Sequence, residues 1–210
     1  MKTKLLALFL FSLLSCASRA EVYVEARLAY LSVSGTPNVG DVGIVTDSDF
    51  DRAAPSIALG YNFTPRFALE LRYVSLGELT LQKTAPTFAI FPTNAPTLQV
   101  PHYYTYRQET DVVSLALPIR IYERQKVSVR VTPLVQRSEA DVSFTERSPN
   151  VSVVPPGIIF QQQDTVTRAG GEISAAYQLG KHAAITLSYT FLPVSGFDAH
   201  LFGGGLNWQF

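Results

Sequence analysis

The feature that most constrains this chain is a series of segments, each about ten residues long, in which apolar residues occupy every second position. One such segment has the apolar series Ile57, Leu59, Tyr61 and Phe63. A period of two is typical of a β-strand whose two faces meet different surroundings. After residue 21 there is no amphipathic helical pattern and no apolar run of the ~20 residues that a membrane-spanning helix needs. The alternation predicts strands over 22–33, 54–64, 66–77, 109–122, 126–137, 165–180, 183–193 and 200–210.

The connections between these segments alternate in length. Residues 64–66, 123–125 and 180–182 are tight turns, whereas 34–53, 78–108 and 138–164 are long connections rich in Pro, Ser, Thr and Gly. Short turns on one side and long loops on the other are typical of bacterial outer-membrane barrels. The sequence therefore predicts an all-β fold, a transmembrane antiparallel up-and-down β-barrel of about eight strands.

Alternation alone does not say which face of each strand points outward. A secreted lipocalin-like binding barrel has the same period with its apolar face inside. Here the non-apolar faces carry mostly small residues, and the only lysines after residue 20 are Lys83, Lys126 and Lys181. A water-facing outer surface normally carries many more charges, and aromatic residues near the strand ends suit a membrane interface. We therefore expect the apolar faces to point outward into lipid.

The first residues have the pattern of an export signal. Lys2 and Lys4 precede an apolar run, and small residues at Ser18 and Ala20 suit a cleavage site. This predicts a cleaved signal peptide over 1–20 and a barrel domain over 21–210. A competing interpretation is a lipobox in which Cys16 becomes lipidated. Because Cys16 is the only cysteine, its removal would leave no disulfide and no cysteine metal site, and we expect no cofactor.

The last predicted strand has an aromatic-rich apolar face that ends on the final residue. Its larger members are Phe202, Leu206, Trp208 and Phe210. Together with the strand number and loop asymmetry, this ending resembles the OmpA/OmpX-type family of small outer-membrane β-barrels, whose last strand ends in Phe and is a signal for the barrel-assembly machinery. The resemblance implies residence in the bacterial outer membrane, contact with its lipids and lipopolysaccharide, and a structural or surface-interaction role.

Charged residues cluster on the faces predicted to point inward. They are Glu25, Arg27, Glu70, Arg72, Arg120, Arg130, Arg168 and Glu172. Isolated charges inside a barrel are costly, so we expect Arg and Glu to pair with each other. The planar guanidinium suits this because it can engage a carboxylate through two hydrogen bonds. The sequence thus predicts a network that closes the interior, with a narrow small-solute channel, favouring anions, as the alternative.

Signals for catalysis or metal binding are weak. The three histidines do not form the His-x-Ser arrangement of outer-membrane lipid A deacylases, which leaves Ser195, Asp198 and His200 as the candidate nucleophile, orienting group and base. Such residues are common in a polar loop, so we expect no enzymatic activity. The acidic stretch 47–51 lacks the glycine and terminal glutamate of a calcium loop. No basic patch indicates nucleic acid.

One long connection is unusually aromatic. Its candidate contact residues are Phe88, Phe91, Tyr103, Tyr104 and Tyr106, with several prolines between them. Exposed tyrosines are good material for protein contacts, so this loop is a candidate surface for an extracellular partner. The alternative is that the rings pack on one another or lie in the headgroup layer.

Overall fold

The structure is a computed structural model that describes residues 21–35, 44–50, 53–89, 98–147 and 157–210. These residues form ten strands: β1 Glu21–Ser34, β2 Ile44–Phe50, β3 Ala53–Asn62, β4 Ala68–Ala89, β5 Leu98–Ala116, β6 Ile119–Arg124, β7 Val127–Arg147, β8 Gly157–Gln178, β9 Ala183–Pro193 and β10 Asp198–Gln209. The predicted signal peptide, with Cys16, lies outside the described residues. Within the described ranges, no helix is long and apolar enough to cross a membrane.

The strands form a closed antiparallel barrel. Strand β1 pairs with both β3 and β10, and the ring continues from β3 through β4, β5, β7, β8 and β9 back to β10. Strands β5 and β6 follow one another along a single position of this ring, so the barrel has eight strand positions. Among the described residues, closure leaves no unpaired edge around the membrane-spanning part of the wall. The predicted all-β barrel of eight strands is confirmed.

Proline interrupts the predicted strand 109–122. Pro118 has no backbone N–H, so the ladder cannot continue through it. β5 ends at Ala116 and β6 begins at Ile119, where the Arg120 amide donates to the carbonyl of Arg66 at 2.8 Å. The wall is therefore continuous across the break.

The apolar faces point away from the barrel axis. Leu187 is 67% exposed and Leu206 is 62% exposed, whereas the side chain of Glu25 on an inward face is fully buried. A continuous belt of exposed leucine, isoleucine and aromatic side chains requires a lipid environment because a water-facing surface does not carry so large an apolar patch. The lipocalin-like alternative, with its apolar face inside, is wrong.

The long connections are much shorter than the sequence predicts. Strands β4 and β5 remain paired from Glu70–Ala116 up to Ala89–Leu98, and β7 pairs with β8 as far as Glu146–Gly157. Strand β2 pairs with the upper part of β4. The expectation of loops is wrong for the described parts of 34–53, 78–108 and 138–164, which build a sheet that stands above the membrane belt.

The reason is a change of phase in the alternation. On the lower part of β4, Leu71 points outward and Arg72 inward; higher up, Leu79 and Leu81 point inward and Thr80 outward. The outward face of the strand is therefore apolar within the membrane. Above the membrane, where water surrounds the barrel, the inward face is apolar instead. This inversion marks the outer boundary of the membrane and explains why a search for one continuous alternation ends these strands too early.

Candidate functional site

The lower interior contains a chain of alternating charges that spans the barrel. β1 supplies Glu25 and Arg27, β4 supplies Glu70 and Arg72, and β8 supplies Glu172. Residues two apart on a strand share a face, which places each glutamate beside an arginine of its own strand. Strand β8 lies three positions from both β1 and β4 around the ring, so Glu172 approaches from the opposite wall.

Glu172 joins the two Glu–Arg pairs. Its Oε2 accepts hydrogen bonds from Arg27 Nη1 at 2.6 Å and from Arg72 Nη1. Arg27 Nε also donates to Glu25 at 2.6 Å, and Arg72 Nη2 donates to Glu70 at 2.6 Å. All five side chains are almost fully buried. Charge-assisted bonds of this length are the strong class of protein hydrogen bonds.

Uncharged groups complete the coordination of the carboxylates. Thr186 donates to Glu25 at 2.5 Å and Thr190 donates to Glu172 at 2.9 Å. The Tyr23 hydroxyl donates to Glu70 at 2.9 Å. Buried charges need such partners for their remaining lone pairs, so the network is a plug of matched groups rather than a lining of free charges.

The glycine of β3 makes room for this plug. A Cβ at Gly60 would lie 2.0 Å from the ring of Tyr23, so the tyrosine fills the space that any other residue would occupy. Tyr23 is fully buried and carries the guanidinium of Arg130 at 5.9 Å from its ring centroid. A small residue on β3 thus permits a large one on β1 to reach Glu70.

The other three predicted network residues lie outside the five-membered cluster. Arg120, near the periplasmic turns, pairs with Glu123 at 2.9 Å, and Arg130 contacts Tyr23 as described. Arg168 is exposed, above the level at which β9 pairs with β8. Sequence spacing predicted that these residues share the inward face, but their heights differ.

An apolar layer lies above the charged network. Its members come from six strands and from the turn between β9 and β10: Leu31, Val74, Leu76, Val112, Leu134, Leu192, Leu201, Val194 and Phe197. Phe197 and Val194 are buried, so the turn folds down over the barrel mouth. Sequence reasoning missed this layer because it assigned a polar interior to the whole length of each strand.

A polar cap holds that turn in place. Gln108 donates to the Ser195 carbonyl at 3.0 Å, and the Ser195 hydroxyl donates to Asp164 on β8. The Tyr106 hydroxyl donates to Gln108 at 2.6 Å. Burial, followed by the nearby Asp164 carboxylate, raises the pKa of Tyr106 to about 12. The tyrosine therefore stays neutral and acts as a donor at every physiological pH.

Four of the five aromatic contact residues lie within the described residues, and all four are on strands. Tyr106 is a buried strand residue, and Tyr104 stacks on Phe144 with ring centroids 5.4 Å apart. Phe88 and Tyr103 occupy strand positions in β4 and β5, whereas Phe91 lies outside the described residues. The prediction of an exposed aromatic loop is therefore wrong for Tyr106, because the strand phase turns its ring inward.

The candidate triad is not assembled. Ser195 bonds to Asp164 above the lumen, whereas His200 points outward from β10. His200 instead interacts with Ser34 through Nε2 at 2.8 Å and with the Tyr189 hydroxyl through Nδ1 at 2.9 Å. The register that places β1 and β9 on either side of β10 creates this cluster, and no local motif signals it.

No metal site is formed in the part of the chain that the structure describes: no three His, Cys, Asp or Glu side chains converge there. The acidic stretch 47–51 is not a loop where it is described, since Asp47 and Asp49 lie on β2 and pair with β4. Asp51 lies outside the described residues.

The sheet above the membrane has one face toward the barrel axis and the other toward solvent. Its outward face is charged, with Arg107 bonded to Glu78 at 2.5 Å and Arg137 to Glu139 at 3.2 Å. The hydrogen bond from Arg107 holds the pKa of Glu78 below its ordinary value.

The upper part of β8 has a strand on one side only. Among the described residues, 161–170 of β8 pair with β7 and with no other strand.

The apolar face of the last strand points outward from the barrel. The side chains of its apolar face, Phe202, Leu206, Trp208 and Phe210, are each more than half exposed on the membrane-facing surface. Trp208 lies near the periplasmic rim and stacks on His182. Aromatic side chains at this level suit the interface between hydrocarbon and headgroups.

Comparison with known proteins agrees with this architecture. The family model described as the outer membrane protein beta-barrel domain matches residues 3–210. Neisserial surface protein A has the same fold, with a TM-score of 0.52, 13% identity, and 91% of this chain and 99% of that chain covered. The N-terminal β-barrel domain of Pseudomonas aeruginosa OprF gives a TM-score of 0.44, 13% identity, and coverages of 91% and 100%.

The outer membrane protease OmpT from Escherichia coli gives a TM-score of 0.48 at 10% identity, with coverages of 90% and 97%. No curated protein sequence matches the chain.

Proposed function

The chain belongs to the outer membrane protein beta-barrel domain family, and from that premise we propose that it is a non-enzymatic outer-membrane protein with a structural and surface-interaction role. The observation that carries the proposal is the division of the barrel into two parts. The lower part is closed by the Glu–Arg network and the apolar layer, and the upper part presents a sheet to the outside.

The closed interior argues against the alternative of a narrow channel. A solute would have to pass both the paired charges and the side chains packed around Phe197 and Leu192. Eight strands give an interior that side chains can fill. We expect no stable conductance steps when the purified protein is inserted into planar bilayers. Regular ohmic steps with anion selectivity would overturn the closed-barrel proposal.

The sheet above the membrane offers backbone groups to a partner. Along residues 161–170 of β8, one edge carries no strand among the described residues. An exposed edge can accept an added strand through main-chain hydrogen bonds. Its exposed side chains include Gln161, Gln162, Gln163 and Thr165, which suit a polar extracellular segment. We propose that this edge is where an extracellular protein binds.

Two neighbouring proline substitutions test the edge. Successive amides of a strand point to opposite sides, so only one of Thr165→Pro and Val166→Pro removes a donor to β7. The other removes a donor from the open edge and leaves the barrel intact. The folded variant is identified by its altered gel mobility before boiling. Cells displaying it are then compared with cells displaying the original protein for adhesion to immobilised fibronectin, laminin and collagen.

We expect the original protein to raise adhesion to at least one of these matrix proteins and the edge variant to lose that gain. Adhesion that equals that of cells lacking the protein, for all three coatings, would contradict the surface-interaction role. If the folded edge variant retains full adhesion, the surface-interaction role stands, but the binding surface does not include this edge of β8.

We further propose that residues 1–20 direct export and that the face containing Trp208 and Phe210 is read by the barrel-assembly machinery. The exposed position of both rings supports this. Removing residues 1–20 should leave the protein in the cytoplasm, and Phe210→Ala should reduce the fraction recovered in the outer membrane. Unchanged recovery of the Phe210→Ala variant would refute the assembly signal.

A further inference from the structure

A shallow groove runs across the lipid-facing wall from β7 through β8, β9 and β10 to β1. It has a volume of about 670 Å³, and its side walls include Leu28, Ile173, Leu187 and Phe202, with Gly204 at its base. It is open to the surrounding lipid rather than enclosed. The groove is a concave break in an otherwise convex apolar belt.

The glycine at the base is not explained by packing. A Cβ at Gly203 would lie 2.6 Å from Ala29, and one at Gly205 would lie 2.4 Å from the Ala26 carbonyl, so close approach of β1 requires both glycines. A Cβ at Gly204 would meet its nearest neighbours at 3.4 Å and beyond. The fold therefore tolerates a side chain at Gly204, and the glycine leaves space on the outer surface.

A polar cluster stands at the upper end of this groove. Tyr189 is common to both features, since it lines the groove and its hydroxyl meets Nδ1 of His200 at 2.9 Å. The His200 ring also lies against Phe191, with centroids 5.4 Å apart, and its Nε2 meets Ser34 Oγ at 2.8 Å. The His200 ring also stacks on the Tyr189 ring, with centroids 6.1 Å apart, so two ring contacts and two hydrogen bonds fix the imidazole before any ligand arrives.

The position of the cluster relative to the membrane indicates the ligand. Phe202 and Tyr189 are aromatic side chains of the exposed apolar belt. On β10, His200 is the next outward-pointing residue after Phe202 in the extracellular direction. Groups at that level meet the ester, amide and hydroxyl oxygens at which acyl chains join lipid headgroups. Ser34, whose hydroxyl can both donate and accept, is exposed there.

We propose that this groove is a fixed binding site for the lipid A part of lipopolysaccharide. One acyl chain lies over Gly204 between Leu28 and Leu187, and the oxygens at the head of that chain hydrogen-bond to the exposed hydroxyl of Ser34, which His200 holds in place. The extracellular side of the site selects a lipid of the outer leaflet. The site is independent of the surface-interaction role, since it lies on the barrel wall and not on the upper sheet.

The test measures lipid that remains bound to the purified protein. The protein is refolded in detergent with added lipid A or, separately, with phosphatidylethanolamine, and the retained lipid is counted by native mass spectrometry. Gly204→Leu fills the groove, and the matched control Ala26→Leu adds the same side chain on the outward face of β1, outside the groove. Each variant is first checked for altered gel mobility before boiling, so unfolded protein is not counted.

We expect lipid A retention by the original protein and by Ala26→Leu, and retention about tenfold lower in Gly204→Leu, a change that corresponds to about 1.4 kcal/mol. His200→Ala removes the group that orients the Ser34 hydroxyl, so it should weaken retention about two- to tenfold, the effect of a misplaced hydrogen bond, and His200→Gln should restore part of it. Equal retention by all variants would overturn the site. Retention of phosphatidylethanolamine at the level of lipid A would overturn its assignment to lipid A.

Discussion

Glu172 is the residue on which the interior network depends, and Glu172→Ala tests that dependence. Its Oε2 accepts from both Arg27 and Arg72 and from Thr190. Truncation leaves two guanidinium groups in a site where the arginine side chains are only 7% and 3% exposed. Breaking a buried ion pair by removing one partner costs about 3–5 kcal/mol.

The expected magnitude lies at the lower end of this range. Arg27 keeps its bonds to Glu25, and Arg72 keeps its bonds to Glu70, so neither guanidinium is left without a carboxylate. We therefore expect a loss of about 3 kcal/mol in the free energy of unfolding. Glu172→Gln retains an acceptor oxygen for Thr190 and should cost less than Glu172→Ala.

The assay is urea unfolding of the barrel in lipid vesicles, followed by fluorescence of Trp208, the only tryptophan. Glu139→Ala is the matched control, because Glu139 pairs with Arg137 at 3.2 Å on the exposed upper sheet. An exposed pair of this kind contributes about 0–1 kcal/mol. If Glu172→Ala lowers stability no more than Glu139→Ala does, the network is not the element that stabilises the interior.

Two further predictions concern other parts of the interior. Gly60→Ala should destabilise the barrel by about 1–3 kcal/mol, the usual cost of overpacking, because its Cβ would displace the Tyr23 ring. The control Gly180→Ala, with no atom within 4 Å of the added Cβ, should leave the urea midpoint unchanged. Equal midpoints for both variants would contradict the packing argument. Tyr106 has a folded pKa of about 12, above its ordinary value of 10.0, so its contribution to stability is fully present below pH 10 and is lost as pH rises toward 12. The difference in unfolding free energy between the original protein and Tyr106→Phe should therefore shrink across that interval, and a constant difference would refute the assignment.

The sequence predicts the barrel wall well because its physical signal is local. Alternation with a period of two depends only on neighbouring residues, and lipid outside the wall makes every outward position of the lower strands apolar. The spacing of Glu25 from Arg27, and of Glu70 from Arg72, likewise places each pair on one face. What local spacing does not contain is the partner on the far wall, since Glu172 meets both arginines only after the ring closes.

The upper sheet was missed for a different reason. Above Tyr73 the solvent outside changes from lipid to water, and the apolar face changes sides with it. Leu79 and Leu81 then belong to an interior, although Leu71 on the same strand belongs to an exterior. A strand that crosses a boundary between two solvents carries two patterns, and each pattern alone is too short to predict the whole strand.

The same boundary divides what each part of the barrel can do. Below it, the outer surface is committed to lipid and the inner surface to the paired charges around Glu172, so only an interruption of the wall such as the Gly204 groove is free to bind a ligand. Above it, the inner surface is occupied by the apolar layer and by the cap that holds Ser195, while the outer surface faces water, as does the edge of β8 over 161–170, where no second strand pairs among the described residues. The closed lower barrel gives the upper sheet a rigid base, and rigid presentation lowers the conformational cost of binding a partner. We therefore propose that recognition of molecules outside the cell belongs to the sheet above the boundary, and that recognition of lipid belongs to the wall below it.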